Sequence, residues 1–335
     1  MQTLTDWPIM DVLKHWQRLK PVSHQPISIG LINQTFRIEA ESGLFILQKL
    51  HPVFSPLVNE DIQAITNYLH SHDFLAPNLI STDSNEPCVR EGADCWRMLS
   101  FIAGKTYHQI PALKHAFSAG MLLGRFHRLL IEWNYRYQSV RTLVHRTPTY
   151  LDTLERTLSH HKNSPYYAKA SPIAHRLLTI ARTLPDLWNL PLRHCHGDLK
   201  ISNLLFNDSD EAICLIDLDT LGQMPWPIEM GDAFRSWCNP RGEDQANSQF
   251  DLDIYRASLD GYQSEVWEHW TSQERHALPM GIKMITLELC ARFMTDIFED
   301  CYFGWDSNRF ESRQEHNWIR TLGQWTLFLD LEKKL

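Results

Sequence analysis

The sequence predicts an α+β protein of two unequal lobes: a small β-rich N-lobe over residues 1–101 and a larger, mainly helical C-lobe over residues 102–335. Three observations carry this. The first hundred residues run as short apolar segments separated by turn signals, with one stretch of helical periodicity. The rest repeats apolar residues at helical spacing over long segments. Within that second part lies one compact hairpin pattern, Leu204 to Phe206 and Ile213 to Ile216 around the polar turn Asn207-Asp208-Ser209-Asp210-Glu211.

In order along the chain, Ile27 to Ile38 reads as a strand, a turn at Gly30 and a second strand. Leu44 to Leu50 gives a third strand. Val58 to Leu69 puts Ile62, Ile65 and Leu69 on one helical stripe. Cys95 to Ile102 is a further apolar strand, ending at Ala103-Gly104, where the chain crosses to the second lobe. No Pro-rich or Gly/Ser-rich linker separates the lobes, so a short hinge is expected rather than a flexible tether. His115 to Leu130, Leu151 to Leu158, Pro172 to Leu184, Leu252 to Trp270, Met280 to Glu299 and Trp318 to Glu332 read as helices. Gly120 and Gly124, one turn apart, admit another backbone closely.

The hairpin carries the chemistry. Asn203 opens its first strand and Asp217 closes its second. Both lie seven residues from Asp210, so a symmetric antiparallel pairing makes them cross-strand neighbours. An amide oxygen and a carboxylate then meet at the hairpin mouth, hard oxygen ligands that suit a magnesium ion sharing phosphate oxygens. Asp198 lies five residues before Asn203. That is the spacing of a protein-kinase catalytic loop, in which the Asp takes the acceptor hydroxyl proton and the Asn holds a metal. The expected fold is therefore protein-kinase-like. Lys200, two residues after the base, is placed to neutralise charge on the transferring phosphoryl group, and Asp219 is a further candidate metal ligand.

A nucleotide clamp is expected in the N-lobe. Gly30 allows close backbone approach, and Asn33 or Thr35 can donate to an ATP phosphate. Kinases also place a cation on the third strand, held by a helix Glu. Lys49 and Glu60 are the candidates, although alternation leaves open a register in which Gln48 faces inward instead. Met98 to Ile102 is the expected hinge, its backbone around Ser100 and Ile102 meeting the adenine edge.

Bulk properties narrow the class. With 40 acidic against 32 basic residues and a formal net charge of −8, a nucleic-acid partner is not expected. The seven cysteines show neither a Cys-x-x-Cys pair nor zinc spacing, and suit a reducing compartment. The N-terminus lacks a signal-peptide pattern and no apolar run reaches membrane-span length, so a soluble cytoplasmic protein is expected. His194 and His196 alternate onto one strand face, where bracing of the loop is expected rather than metal ligation. The acidic stretch with Glu243, Asp244, Asp251 and Asp253 reads as a solvated loop leading into a helix start, a cation site being the alternative.

Glu288, Arg292 and Asp296 share one face of an otherwise apolar helix. A helix this apolar is mostly buried, so its charges need partners. Either the three form a structural ion-pair ladder, or Arg292 points into a substrate cleft.

The Gly after His196 and the Asp-x-Lys-x-x-Asn pattern of Asp198, Lys200 and Asn203 make the chain resemble the aminoglycoside phosphotransferase and choline kinase superfamily. Gly30-Leu31-Ile32-Asn33, Phe45 to Lys49, Ile216-Asp217-Leu218-Asp219-Thr220, Gly231-Asp232-Ala233-Phe234-Arg235, Arg292-Phe293-Met294-Thr295-Asp296 and Tyr302-Phe303 resemble its bacterial N-acetylhexosamine 1-kinase branch. Gly197 stands where that branch often has Asn. The resemblance implies ATP and Mg2+ as cofactors. It also implies transfer to a sugar hydroxyl, with Asp232, Arg235, Arg292 and Tyr302 as acceptor-binding candidates, the alternative for Asp232 being that it only braces the catalytic loop. Rival readings are another small acceptor (an aminoglycoside, choline or homoserine) and a non-catalytic nucleotide-binding regulator.

Overall fold

A computed structural model describes residues 9–27, 33–139 and 144–335. The described residues of Met1–Ala103 and Tyr135–Val140 form one compact unit, and those of Gly104–Asn134 and Arg141–Leu335 a second. The expected turn at Gly30 lies outside the described residues.

The first unit contains α1 (Ile9–Leu13), β1 (Pro21–Ile27), β2 (Gln34–Ala40), β3 (Gly43–Leu50), α2 (Val58–His70), β4 (Leu79–Ile80), β5 (Val89–Glu91) and β6 (Asp94–Ser100). The strands form one sheet in the order β1-β2-β3-β6-β4, with β5 also on β6 and every pairing antiparallel. Alternation sends side chains to two faces. On one face Ile38, Phe45, Leu47, Trp96 and Met98 pack against Ile9, Val12, Leu13 and Trp16 from α1 and the turn after it. The other face carries Thr35, Gln48, Cys95 and Arg97, and α2 reaches it through Asn59. Asp61 of α2 is buried and accepts hydrogen bonds from Tyr135 Oη and from the Gln138 and Ser139 main chain, each at 2.8 Å. A buried carboxylate is tolerated only with such donors, and these bonds draw the segment after Asn134 into this unit.

The second unit contains α3 (Leu113–Leu129), α4 (Thr147–His160), α5 (Tyr167–Ala181), β7 (Arg193–Cys195), β8 (Leu204–Phe206), β9 (Ala212–Leu215), β10 (Gly222–Met224), α6 (Trp226–Trp237), α7 (Leu252–Val266), α8 (Ser272–Glu299) and α9 (Arg313–Lys334). Gly120 supports the close approach expected of it: a Cβ there would stand 2.0 Å from the Ser258 carbonyl of α7. Helix α8 starts earlier than periodicity suggests, because Thr271 and Glu274 form a reciprocal capping box. Its Leu287, Cys290, Ala291, Met294 and Ile297 make one core with α4, α5 and α9. Helix α6 is buried nearly all round, so its polar residues Glu229, Asp232, Arg235 and Ser236 find their partners inside the protein. Among the described residues, no helix is long and apolar enough to cross a membrane.

Candidate active site

The loop after β7 is held as a template by α6. Glu229 accepts the His196 N–H at 2.7 Å and the Gly197 N–H at 3.0 Å. Asp232 accepts the Leu199 N–H at 2.7 Å, and the Ser236 hydroxyl accepts the Ile201 N–H at 3.1 Å. Trp237 Nε1 donates back to the Leu199 carbonyl at 2.7 Å. These partners recur along one side of α6, so a single rigid helix sets the path of the loop. The Asp198 N–H donates to His196 Nδ1 at 3.3 Å. The proton of a neutral ring then lies on Nε2, which donates to the Ile216 carbonyl at 2.9 Å. His194 donates to the Trp133 carbonyl at 2.8 Å. Gly197 has φ +83°, and a Cβ there would stand 2.3 Å from the Thr220 carbonyl, so no other residue fits without moving the backbone.

This frame gathers the charged groups. Asn203 Nδ2 donates to the Asp198 carbonyl at 2.9 Å and to its carboxylate at 3.1 Å. Lys200 Nζ lies 3.0 Å from Asp198 and 4.0 Å from Asp217. Burial alone would raise the Asp198 carboxyl, but the Lys200 ammonium, with Arg235 beyond it, holds it down to about 2. Burial and the nearby Asp219 and Asp198 carboxylates raise the Asp217 carboxyl despite Lys200. That crowding of carboxylates is what a divalent cation relieves. With its nitrogen committed to Asp198, Asn203 has its oxygen left to offer. The donor set of Asn203 Oδ1, Asp217 and Asp219 fits a hard cation that prefers oxygen ligands.

The symmetric hairpin pairing is corrected. Leu204 faces Leu215 and Leu205 faces Cys214, but Phe206 faces Ala212 across a bulge. The turn is centred on Ser209 rather than Asp210, where the Asn207 N–H donates to the Glu211 carbonyl, and the extra residue of the bulge recovers only one of the two positions this displaces. Asn203 therefore meets Ile216, whose N–H donates to the Asn203 carbonyl at 2.9 Å. Asp217 follows in a left-handed conformation, φ 65°.

The acceptor candidates have definite places. Asp232 Oδ2 is taken by the Leu199 N–H and Oδ1 by Arg235, so this carboxylate braces the loop. Arg235 is buried and pairs with Asp232 and with Glu243, each at 2.8 Å. The charged stripe of α8 is not a simple ladder. Glu288 accepts from Thr147 at 2.7 Å and lies 3.2 Å from His145, against 3.7 Å from Arg292. Asp296 caps the main-chain N–H groups of Cys301, Tyr302 and Phe303 and accepts from Asn317. Arg292 lies against the rings of Tyr150, Tyr302 and Phe303, with 4.8, 5.6 and 5.5 Å from guanidinium to centroid. Tyr302 is itself exposed.

The acidic stretch is consumed by protein partners. Asp244 binds Arg309, His316 and Arg320, Asp251 caps α7, and Asp253 pairs with Arg256.

In the first unit, Asn33 Oδ1 accepts the His51 N–H at 2.9 Å. Lys49 pairs with Asp94 at 2.7 Å, beside Trp96 and on the face that holds the Trp16 core. The expected pairing of Lys49 with Glu60 gives way to this one, because alternation turns Gln48 toward the α2 side. Glu60 is exposed on α2. Ser100 exchanges main-chain and hydroxyl hydrogen bonds with Asn78, both at 2.8 Å. The Ile102 main chain has no hydrogen bond among the described residues. Gly30 lies outside the described residues.

Sequence reasoning missed Glu229, Ser236, Trp237, His145 and Thr147. For Glu229 a signal existed: an acid set between Ile228 and Met230 is a buried carboxylate in need of donors.

A family model and many solved structures are similar to this chain. The family model, described as the phosphotransferase enzyme family, matches residues 23–263. The amicoumacin kinase hAmiN, solved in complex with AMP-PNP, Ca2+ and Ami, aligns at TM-score 0.66 and 12% identity over 98% of this chain and 94% of its own. A spectinomycin phosphotransferase, solved with ADP and spectinomycin, aligns at 0.65 and 14% over 99% and 100%. A choline kinase from Cryptosporidium parvum aligns at 0.59 and 15% over 98% and 95%. These likenesses establish a kinase-like fold.

Proposed function

The chain belongs to the phosphotransferase enzyme family, and on that premise we propose that it is an ATP- and magnesium-dependent kinase of a sugar hydroxyl. The favoured acceptor is the anomeric hydroxyl of an N-acetylhexosamine or a related sugar. The observation that carries the kinase reading is the Asp198–Lys200–Asn203 set, held within 3.0 and 3.1 Å on a loop whose main chain is bonded throughout to α6.

Asp198 orients the acceptor hydroxyl and receives its proton as the hydroxyl oxygen bonds to the γ-phosphorus of ATP and the bond from that phosphorus to the β–γ bridging oxygen breaks, releasing ADP. A carboxylate held near 2 is a weak base, so proton transfer comes late and orientation is its first task. Lys200 balances charge on the transferring group. Magnesium, when bound, neutralises the phosphate oxygens; Asn203 and Asp217 would hold it, with Asp219 beside them.

Two features support a neutral, hydroxyl-rich acceptor. A polycationic aminoglycoside wants free carboxylates, and Asp232, Glu288 and Asp296 are all committed to protein donors. A choline headgroup wants an open aromatic cage, and the rings of Tyr150, Tyr302 and Phe303 already hold Arg292. That guanidinium keeps donors suited to sugar hydroxyls or an acetamide oxygen.

A panel of free hexoses, N-acetylhexosamines, aminoglycosides and amino alcohols, assayed for ATP consumption with the purified protein, tests this. Turnover confined to sugars is expected, highest with an N-acetylhexosamine. Turnover confined to amino alcohols or aminoglycosides would overturn the acceptor, and ATP binding without turnover on any compound would favour a regulator.

A further inference from the structure

Gln48 of β3 lies directly opposite Arg97 of β6 and Thr35 of β2. The three side chains leave the sheet on the face away from the Trp16 core. Arg97 is 1% exposed. Its Nε and Nη2 donate to Gln48 Oε1 at 3.0 and 2.7 Å, and its Nη1 reaches Asn59 Oδ1 of α2 at 3.4 Å. A guanidinium only donates, so the amide orientation of Gln48 is determined: oxygen toward Arg97, nitrogen away. The Nε2 group accordingly donates to the Thr35 hydroxyl at 3.3 Å and keeps a second proton. Gln48 and Thr35 are half-buried, on the same open face as the half-buried Ile46 and Leu99. Lys49 is turned to the other face, where Asp94 and Trp96 engage it.

We infer that the phosphate-clamping task of a third-strand lysine is divided here between two residues. Gln48 donates its amide N–H to a phosphate oxygen of the nucleotide. Arg97 is a positioning residue that fixes the amide and places positive charge behind it. The inference rests on the reading of the chain as an ATP-dependent kinase. Physically, the division works because a guanidinium beneath the surface is weakly screened, so its charge still acts on a phosphate it does not touch. The bidentate grip on Oε1 also removes the flip that would present an oxygen to the phosphate. Ile46 and Leu99, on the same face, offer an apolar surface for a base.

The test measures ATP binding directly by calorimetry without acceptor, and then steady-state kinetics with each substrate varied. Gln48→Ala is expected to weaken ATP binding about ten- to hundredfold, the range for one hydrogen bond to a charged group. The acceptor KM should stay within about twofold, a split that a general loss of structure would not produce. Arg97→Gln is expected to weaken ATP as well, with thermal denaturation reporting any loss of folding. The double variant Gln48→Lys with Arg97→Gln moves the cation back to the third strand and should recover most of the affinity lost in Arg97→Gln. A folded Gln48→Ala protein with wild-type ATP affinity overturns the inference, as does a Lys49→Met loss of ATP affinity without one in Gln48→Ala. A wild-type protein that binds no ATP overturns the kinase reading and this inference with it. Wild-type binding unaffected by Gln48→Ala overturns this inference alone.

Discussion

The Lys200 ammonium stands 3.0 Å from the Asp198 carboxylate and 4.0 Å from that of Asp217, so one cation bridges the proposed base and the proposed metal ligand. The site is thus already partly neutralised, and each member can be removed with a distinct consequence.

Asp198→Asn keeps the shape and the hydrogen bond from Asn203 while deleting the proton acceptor. Turnover is expected to fall ~10²–10⁴-fold, the usual contribution of a general base. ATP affinity should change little. Near-normal turnover in the purified variant would remove Asp198 from this role.

Asp217→Ala deletes a carboxylate from the proposed cation site. ATP binding should become insensitive to magnesium, and chelation should no longer alter the affinity of the variant. Calorimetry showing wild-type magnesium dependence would place the metal elsewhere.

Gly197→Asn introduces a side chain at φ +83°, with its Cβ directed at the Thr220 carbonyl. Asn tolerates positive φ better than most residues, but the clash is with main chain. A loss of about 1–3 kcal/mol is expected from overpacking, with a lower Tm and collapsed turnover. Unchanged thermal stability and activity would show that the loop relaxes freely, against its bonding to α6.

Arg292→Met keeps an unbranched side chain among Tyr150, Tyr302 and Phe303 and removes the guanidinium. A lost charged hydrogen bond to the acceptor is worth ~1.5–3 kcal/mol. The sugar KM should rise about ten- to hundredfold, with the ATP KM little changed. An unaltered sugar dependence in a folded variant would confine Arg292 to packing.

His145 is buried against Glu288. Burial pushes its imidazole down, but the hydrogen bond and charge of Glu288, with Asp232 adding to them, raise it above its ordinary 6.5. A raised folded value means stabilisation fully present below the unfolded value and lost as pH rises through the folded one. As pH rises above the ordinary imidazole value of 6.5, the wild type should lose stability that His145→Gln does not lose. Denaturation midpoints that fall in parallel for both proteins would exclude this linkage.

Local spacing in the sequence was enough to bring the proposed catalytic residues onto one loop. His196, Gly197, Asp198, Lys200 and Asn203 lie within eight residues, and their mutual geometry follows from one loop entering one hairpin. The strand-rich beginning and helical remainder followed likewise from periodicity, which is a local property. Gly120 could be read for close packing because a missing side chain has one geometric use.

What tertiary structure decided was which way things face and what they touch. A turn centred on Ser209 rather than Asp210, with one bulged residue after it, set Asn203 opposite Ile216 and not Asp217, and no spacing rule announces either. The choice between Gln48 and Lys49 was a one-residue question of register: Lys49 shares its face of the sheet with the Trp16 core, and Gln48 the opposite face with Arg97. Asp232 and Asp296 were candidates for an acceptor contact and an ion-pair ladder, and each is spent on main-chain N–H groups. For Glu229 the donors lie 32 and 33 residues back in the chain. A sequence shows that a buried charge needs a partner, because desolvation is a property of the residue. Which partner meets it is fixed by contacts between segments far apart in the chain, and only the folded packing of α6 beneath the loop brings those together.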